Sequence, residues 1–153
     1  MPTPPSNPKL TGEEAECAFL WQAIRHGLVV AKPYGDSAPY DFIVDSGPYQ
    51  GKQPRLLRVQ VRCARWQSKG WYPVSAAHSD RNEPMTREHT DFLVAFIPAH
   101  EAWYIIPVGA LKGLHTGIAF HPQPPTRSRW ERYREAWGLL GGKEVVIGRW
   151  GQR

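Results

Sequence analysis

At 153 residues, with 41% hydrophobic and 22% charged residues, the chain has ordinary globular composition and the length of one domain around one core. Nineteen Lys and Arg against fourteen Asp and Glu leave a formal charge of +5, which favours polyanionic partners through long-range attraction. No apolar run approaches bilayer-spanning length, the proline-rich start "MPTPPSNPK" lacks the apolar core of a secretory signal, and two cysteines are too few for a disulfide scaffold. A cytoplasmic protein with no membrane partner is therefore expected. Cys17 and Cys63 also lack the spacing of a zinc ligand set and are expected to be buried, inert thiols.

Residues 1–10 are expected to form a flexible tail, 11–150 one α/β domain and 151–153 a short basic tail. Thr11 stands three residues before Glu14, the spacing of a capping box, and predicts a helix over residues 12–26 that Gly27 stops. Phe19, Leu20, Ala23 and Ile24 recur as one apolar face of that helix, and Glu16 falls on the same face. Strands are then expected at "LVVAKP" from Leu28, "YDFIVD" from Tyr40, "LLRVQVRCA" from Leu56, "TDFLVAFI" from Thr90 and "AWYIIPV" from Ala102. The turn-rich "SGPYQGKQP" predicts an antiparallel pairing of the second and third of these. Residues 65–89 have no clear period and are expected to run over the surface, whereas Trp130, Tyr133, Trp137 and Leu140 are spaced as one face of a last helix that Gly141 and Gly142 end.

Several polar residues sit where apolar neighbours are expected. Glu13 and Glu14 belong to the predicted first helical turn and suit its dipole. Glu16 does not: it either reaches water at the rim of the apolar face or belongs to a pocket with a cation or metal. In the strand from Leu56, alternation places Leu57, Val59, Val61 and Cys63 on one side and Arg58, Gln60, Arg62 and Ala64 on the other. In the strand from Tyr40, Asp41 shares a side with Ile43 and Asp45. A hairpin turning near Gly51 brings Asp41 close to Arg62 and Gln60 near Ile43, either as a functional cluster or as a solvent-facing strand pair with a salt bridge.

The segments "TGEEAE", "YGDSAPYD", "RVQVRCAR" and "TDFLVAFIPAHEAWYIIPV", in this order, resemble the PD-(D/E)XK phosphodiesterase superfamily. The likeness is to its subgroup of intron-encoded homing endonucleases, in which glutamine replaces the second acid, and it covers roughly residues 12–110. It implies a restriction-endonuclease-like mixed β-sheet flanked by helices, and a DNA endonuclease dependent on a divalent cation, usually magnesium. By this resemblance Glu16, Asp41 and Gln60 correspond to the site residues, with the Val61 carbonyl as a further metal ligand. Arg62 stands where the family motif has lysine. Arginine retains the charge but is larger and planar, which puts placement of the attacking water at issue and leaves a DNA-binding protein with impaired catalysis as the alternative. Cutting both strands with one site per chain further implies a dimer or higher homo-oligomer.

Elsewhere, the six histidines show no zinc-ligand spacing and are expected at the surface or hydrogen-bonded. Trp130 and Trp137 are assigned to packing. Arg65, Trp66, Lys69, Arg81 and Arg87 mix cations with an aromatic and are expected to form a DNA-facing rim, together with Trp71.

Overall fold

The computed structural model describes residues 8–47, 53–78, 82–114, 117–124 and 128–143. Helix α1 spans Pro8–Arg25 and is followed by strands β1 (Val29–Ala31), β2 (Phe42–Asp45), β3 (Leu56–Cys63), β4 (Tyr72–Ser75), β5 (Phe92–Ile97), β6 (Ala102–Pro107) and β7 (Gly117–Phe120). Five strands form a mixed sheet in the order β1-β2-β3-β5-β6. Its β3–β5 pair is parallel and its other pairs are antiparallel. Strands β4 and β7 make a separate antiparallel ribbon.

Each face of the large sheet has its own core. On one, Ala15, Phe19 and Ala23 of α1 pack with Phe42, Val44, Leu57, Val59, Val61, Val94, Trp103, Ile105 and Trp137. Phe19 is completely buried, with its ring 5.1 Å from that of Phe42 and 5.9 Å from that of Trp137. On the other face, Leu93, Ala95, Tyr104 and Ile106 meet Tyr72 and Val74 of β4 and Ile118 and Phe120 of β7. The second layer is thus largely a β-ribbon.

The helix begins at Pro8, so Thr11 lies inside it and does not cap it, and Glu13 and Glu14 fall beyond its first turn. Its buried stripe is narrower than expected: Ala15, Phe19 and Ala23 face the sheet, while Leu20 and Ile24 are exposed. The small alanines on either side of Phe19 let the helix approach closely, and Leu20 and Ile24, each one position after that i, i+4 row, are turned outward. Cys17 follows them and is exposed, contrary to expectation. Cys63 is half-buried, and burial pushes its thiol up to about 11, consistent with an inert group.

Two other expectations fail for a topological reason. The segment after residue 65 is not merely a surface excursion, because Tyr72, Val74, Ala76, Ala77 and Met85 are buried within it. The last helix is instead two short 3-10 turns, Arg129–Tyr133 and Trp137–Leu140. Trp130 enters the core under the ribbon and Trp137 the core under α1, so both pack as expected but on opposite sides of the sheet. A continuous helix could not serve both faces. Between the turns, Glu135 takes a left-handed backbone conformation (φ 51°), its N–H donates to the Trp103 carbonyl, and Arg134 bridges to Tyr104. The segment thereby covers the outer edge of β6, whose residues are almost all buried.

Candidate active site

Strand β3 continues past Phe42, the first residue of β2, and the site lies at that step. The two strands pair Phe42 with Val59 and Ile43 with Arg58. This register is shifted by two residues from the one expected, so Asp41 arrives beside Gln60 and not directly opposite Arg62. A two-residue shift preserves side-chain parity, and Asp41 and Gln60 still share a face. The Asp41 N–H donates to the Val59 carbonyl at 2.9 Å. Asp41 Oδ2 in turn accepts from the Val61 N–H at 2.7 Å and from Gln60 Nε2 at 2.8 Å. The carboxylate therefore extends the ladder past the first residue of β2.

The same geometry fixes the direction of the Val61 carbonyl. N–H and C=O of a strand residue point to the same edge, and the Val61 N–H points toward Asp41. Its carbonyl accordingly lies on the β2 side of β3, beyond the first residue of β2. Gln60 donates through its amide nitrogen, which leaves its carbonyl oxygen as an acceptor for another group.

Burial raises the Asp41 pKa above the ordinary carboxylate range, and the nearby negative charge of Glu16 adds to the effect. The Val61 N–H and the positive charges of Arg62 and Lys32 oppose it without cancelling it. Glu16 reaches this region from α1 and is ion-paired with Lys32, which follows β1. Glu16, Lys32, Tyr40 and Asp41 line one small cleft with Pro33, Gly35, Asp36 and Ala38. A larger adjoining cleft of about 600 Å³ is lined by Thr11, Gly12, Ala15, Val61, Arg62, Cys63, Arg65 and Trp66.

Arg62 is half-buried, and its Nη2 donates to the Ala77 carbonyl at 3.2 Å. Burial lowers its pKa and the charge of Asp41 works in the opposite direction. Its guanidinium is thus tied to the segment following β4 while its charge supports Asp41.

The expected DNA-facing residues divide into two groups. Arg65, Trp66 and Lys69 follow the C-terminal end of β3. Trp66 is exposed, and Arg65 is ion-paired with Glu14 of α1. Lys69 and Gly70 both have positive φ between two mutual Ser68–Trp71 backbone bonds, which sets Lys69 at the tip of a tight turn. Arg87 instead precedes β5, near Gly109, roughly 20 Å away by the length of a six-residue strand. Arg81 lies outside the described residues.

Sequence reasoning missed Lys32. No periodicity marks it; only the return of the segment after β1 across α1 brings it to Glu16. It likewise missed Asp91, whose carboxylate accepts from the Arg58 backbone N–H at 2.8 Å and from Arg58 Nε and Nη2, each at 3.1 Å. That pairing holds the start of β5 against β3. Among the described residues no group of three His, Cys, Asp or Glu is placed to hold a metal ion, so any cation here must draw on neutral oxygens as well.

A family model described as PD-(D/E)XK endonuclease matches residues 6–140. Among solved structures, a bacterial homing endonuclease, I-Ssp6803I, is 31% identical with a TM-score of 0.69, over 89% of this chain and 92% of that one. Hjc, a Holliday junction resolvase from the archaeal hyperthermophile Archaeoglobus fulgidus, is 15% identical with a TM-score of 0.57, over 87% of this chain and 98% of that one, a likeness of fold. A search of curated proteins gives no match.

Proposed function

Since the chain belongs to the PD-(D/E)XK endonuclease family, we propose that it is a divalent-metal-dependent endonuclease hydrolysing DNA phosphodiester bonds, with magnesium as its working cation. The observation that carries this reading is the Asp41 carboxylate, half-buried just before β2, bonded to Gln60 and Val61 and within the field of a second carboxylate, Glu16. Two acids held in proximity against desolvation make a site that a cation stabilises.

The donors fit such an ion. Asp41, Glu16, the Gln60 amide oxygen and the Val61 carbonyl would hold it, all of them oxygens of the kind magnesium prefers. When bound, the cation supplies an activated water and offsets charge on the phosphate. The residues themselves provide the rest. Gln60 and the Val61 N–H orient the Asp41 carboxylate, the ion pair with Lys32 steadies Glu16, and Arg62 places a permanent positive charge beside Asp41.

Arg65, Trp66 and Lys69 lie at the adjoining cleft or just beyond it and are proposed to carry the DNA backbone. Arg87, at the other end of β5, would meet only a substrate that wraps the sheet. Among the described residues no helix is long and apolar enough to cross a membrane. Cleavage of both strands would require two copies, and light scattering of the DNA complex tests this: a dimer or higher assembly is expected, and a strict monomer opposes it.

A second reading has one specific observation in its favour. The guanidinium of Arg62, at the motif lysine position, is committed to the Ala77 carbonyl, which suits a DNA-binding protein that has lost catalysis. Nicking of supercoiled plasmid in magnesium or manganese separates the two. Cleavage that chelator stops supports the nuclease; salt-sensitive binding without cleavage supports the alternative.

A further inference from the structure

The residue at the motif position is not the cation best placed for the chemistry. Arg62 is half-buried and bonded to Ala77, on the side of the larger cleft. Lys32 shares the small cleft with both Glu16 and Asp41, and is the only cation among the described residues that line it. Its side chain is 60% exposed, so its ammonium is open to a ligand while still tethered.

Two contacts define where that ammonium sits. It is ion-paired with Glu16 Oε2, and it lies 5.4 Å from the centre of the Phe42 ring, a core residue next in sequence to Asp41. Proline at position 33 also biases the Lys32 backbone toward an extended conformation. An ammonium has three donors, of which Glu16 takes one. The others remain for a phosphate oxygen and a water. The cleft is otherwise acidic, with Glu16, Asp36 and Asp41 on its walls, so Lys32 is the side chain there that attracts the charge a phosphate gains during reaction.

We infer that Lys32 is a catalytic residue: its ammonium contacts a non-bridging oxygen of the scissile phosphate and hydrogen-bonds the attacking water, while Arg62 is a positioning residue that acts on Asp41 through its charge. The inference rests on the nuclease reading above. In the reaction, the water oxygen forms a bond to phosphorus and the bond from phosphorus to the departing sugar oxygen breaks, its electron pair staying on that oxygen. The water's proton passes to solvent and the leaving oxygen takes one from solvent. Lys32 keeps its protons throughout and contributes charge and hydrogen bonds that strengthen as the phosphate gains charge.

The test compares Lys32→Met, Lys32→Arg, Arg62→Lys and Arg62→Met with the natural chain, using plasmid nicking across a manganese titration and binding of a short duplex in calcium. Lys32→Met is expected to lower the maximal rate at saturating manganese by roughly a hundredfold or more, the scale for losing one transition-state donor, with duplex affinity almost unchanged. Lys32→Arg keeps the ion pair with Glu16 and guards against a folding artefact; it is expected to recover only part of the rate. Arg62→Lys should not raise the rate. If Lys32 merely holds Glu16 for the metal, Lys32→Met will instead shift the manganese needed for half-maximal activity and leave the maximal rate intact, which overturns the inference. Full activity in Lys32→Met beside an inactive Arg62→Met also overturns it, with the nuclease reading left standing. Absence of cleavage by the natural chain in both magnesium and manganese overturns both. As a readout apart from turnover, reductive methylation of Lys32 followed by mass spectrometry should show protection by duplex in calcium; equal labelling with and without DNA contradicts the contact.

Discussion

Asp41 and Asp91 are both bonded to backbone and side-chain donors of β3, yet their energetics have opposite signs. Burial raises the Asp41 pKa, so its contribution to stability is fully present below the ordinary value of 3.8 and is lost as pH rises through the raised one. At neutral pH the fold therefore carries an ionised Asp41 at a cost. Asp41→Asn, whose amide oxygen can still accept from the Val61 N–H, is expected to raise the melting temperature in chelator by about 2–4 °C, the scale of 1 kcal/mol in a domain of this size. The gain should shrink as pH falls; a lower melting temperature at pH 7 contradicts it. For Asp91, burial alone would raise the pKa, but the hydrogen bonds and charge of Arg58 outweigh it and hold the carboxyl below 3.8. Its stabilisation is present above that value and is lost as pH falls through the depressed one. Asp91→Asn should cost about 1–2 kcal/mol at pH 7 by urea unfolding, discounted for partial exposure, with the gap closing below about pH 4. These signs could not be read from the sequence, since Asp41 and Asp91 are both acids beside strands.

At the scale of elements, chain order and side-chain parity were legible where alternation was strong. The five strands of the large sheet and the shared face of Asp41 and Gln60 were all expected, because each apolar row is set by local residue spacing. The β2–β3 register was two residues off because parity constrains the face but not the offset, which depends on a turn of uncertain length. Tyr72–Ser75 and Gly117–Phe120 are too short to show a period of their own and become strands by pairing with each other. The stretch from Trp130 to Leu140 mimics a helical stripe because its aromatics must reach two faces around one sheet edge. That segment ends in Gly141, with φ 84°, where an added Cβ would lie 2.4 Å from the Ser46 carbonyl oxygen at the end of β2. Gly141→Ala is expected to destabilise the domain by about 2 kcal/mol or more, through both the left-handed backbone and the clash with main chain. Unaltered urea stability would show that this closure is slack.

Across the whole molecule, the formal charge of +5 is not evenly put to use. Arg58 is committed to Asp91, Arg62 to Ala77 and Arg65 to Glu14, while Lys69 stands at a turn tip beside the larger cleft's exposed Trp66. If DNA crosses this end of β3, Lys69→Glu should weaken binding and reduce the salt slope by about one counterion, and an unchanged slope would move the interface elsewhere. The family and the sheet were legible from four ordered motifs, whereas Lys32 was not, because its place beside Glu16 exists only after α1 and the segment following β1 fold together. What remains to be tested first is whether the half-buried Asp41 carboxylate, kept at the expense of stability, serves metal-dependent cleavage. The most direct test is supercoiled-plasmid nicking by Asp41→Asn beside the natural chain, in magnesium and in manganese, with each melting temperature recorded. Cleavage by the natural chain that chelator abolishes is expected, with none by an Asp41→Asn variant that is folded and at least as stable. Undiminished cleavage by that variant would contradict this.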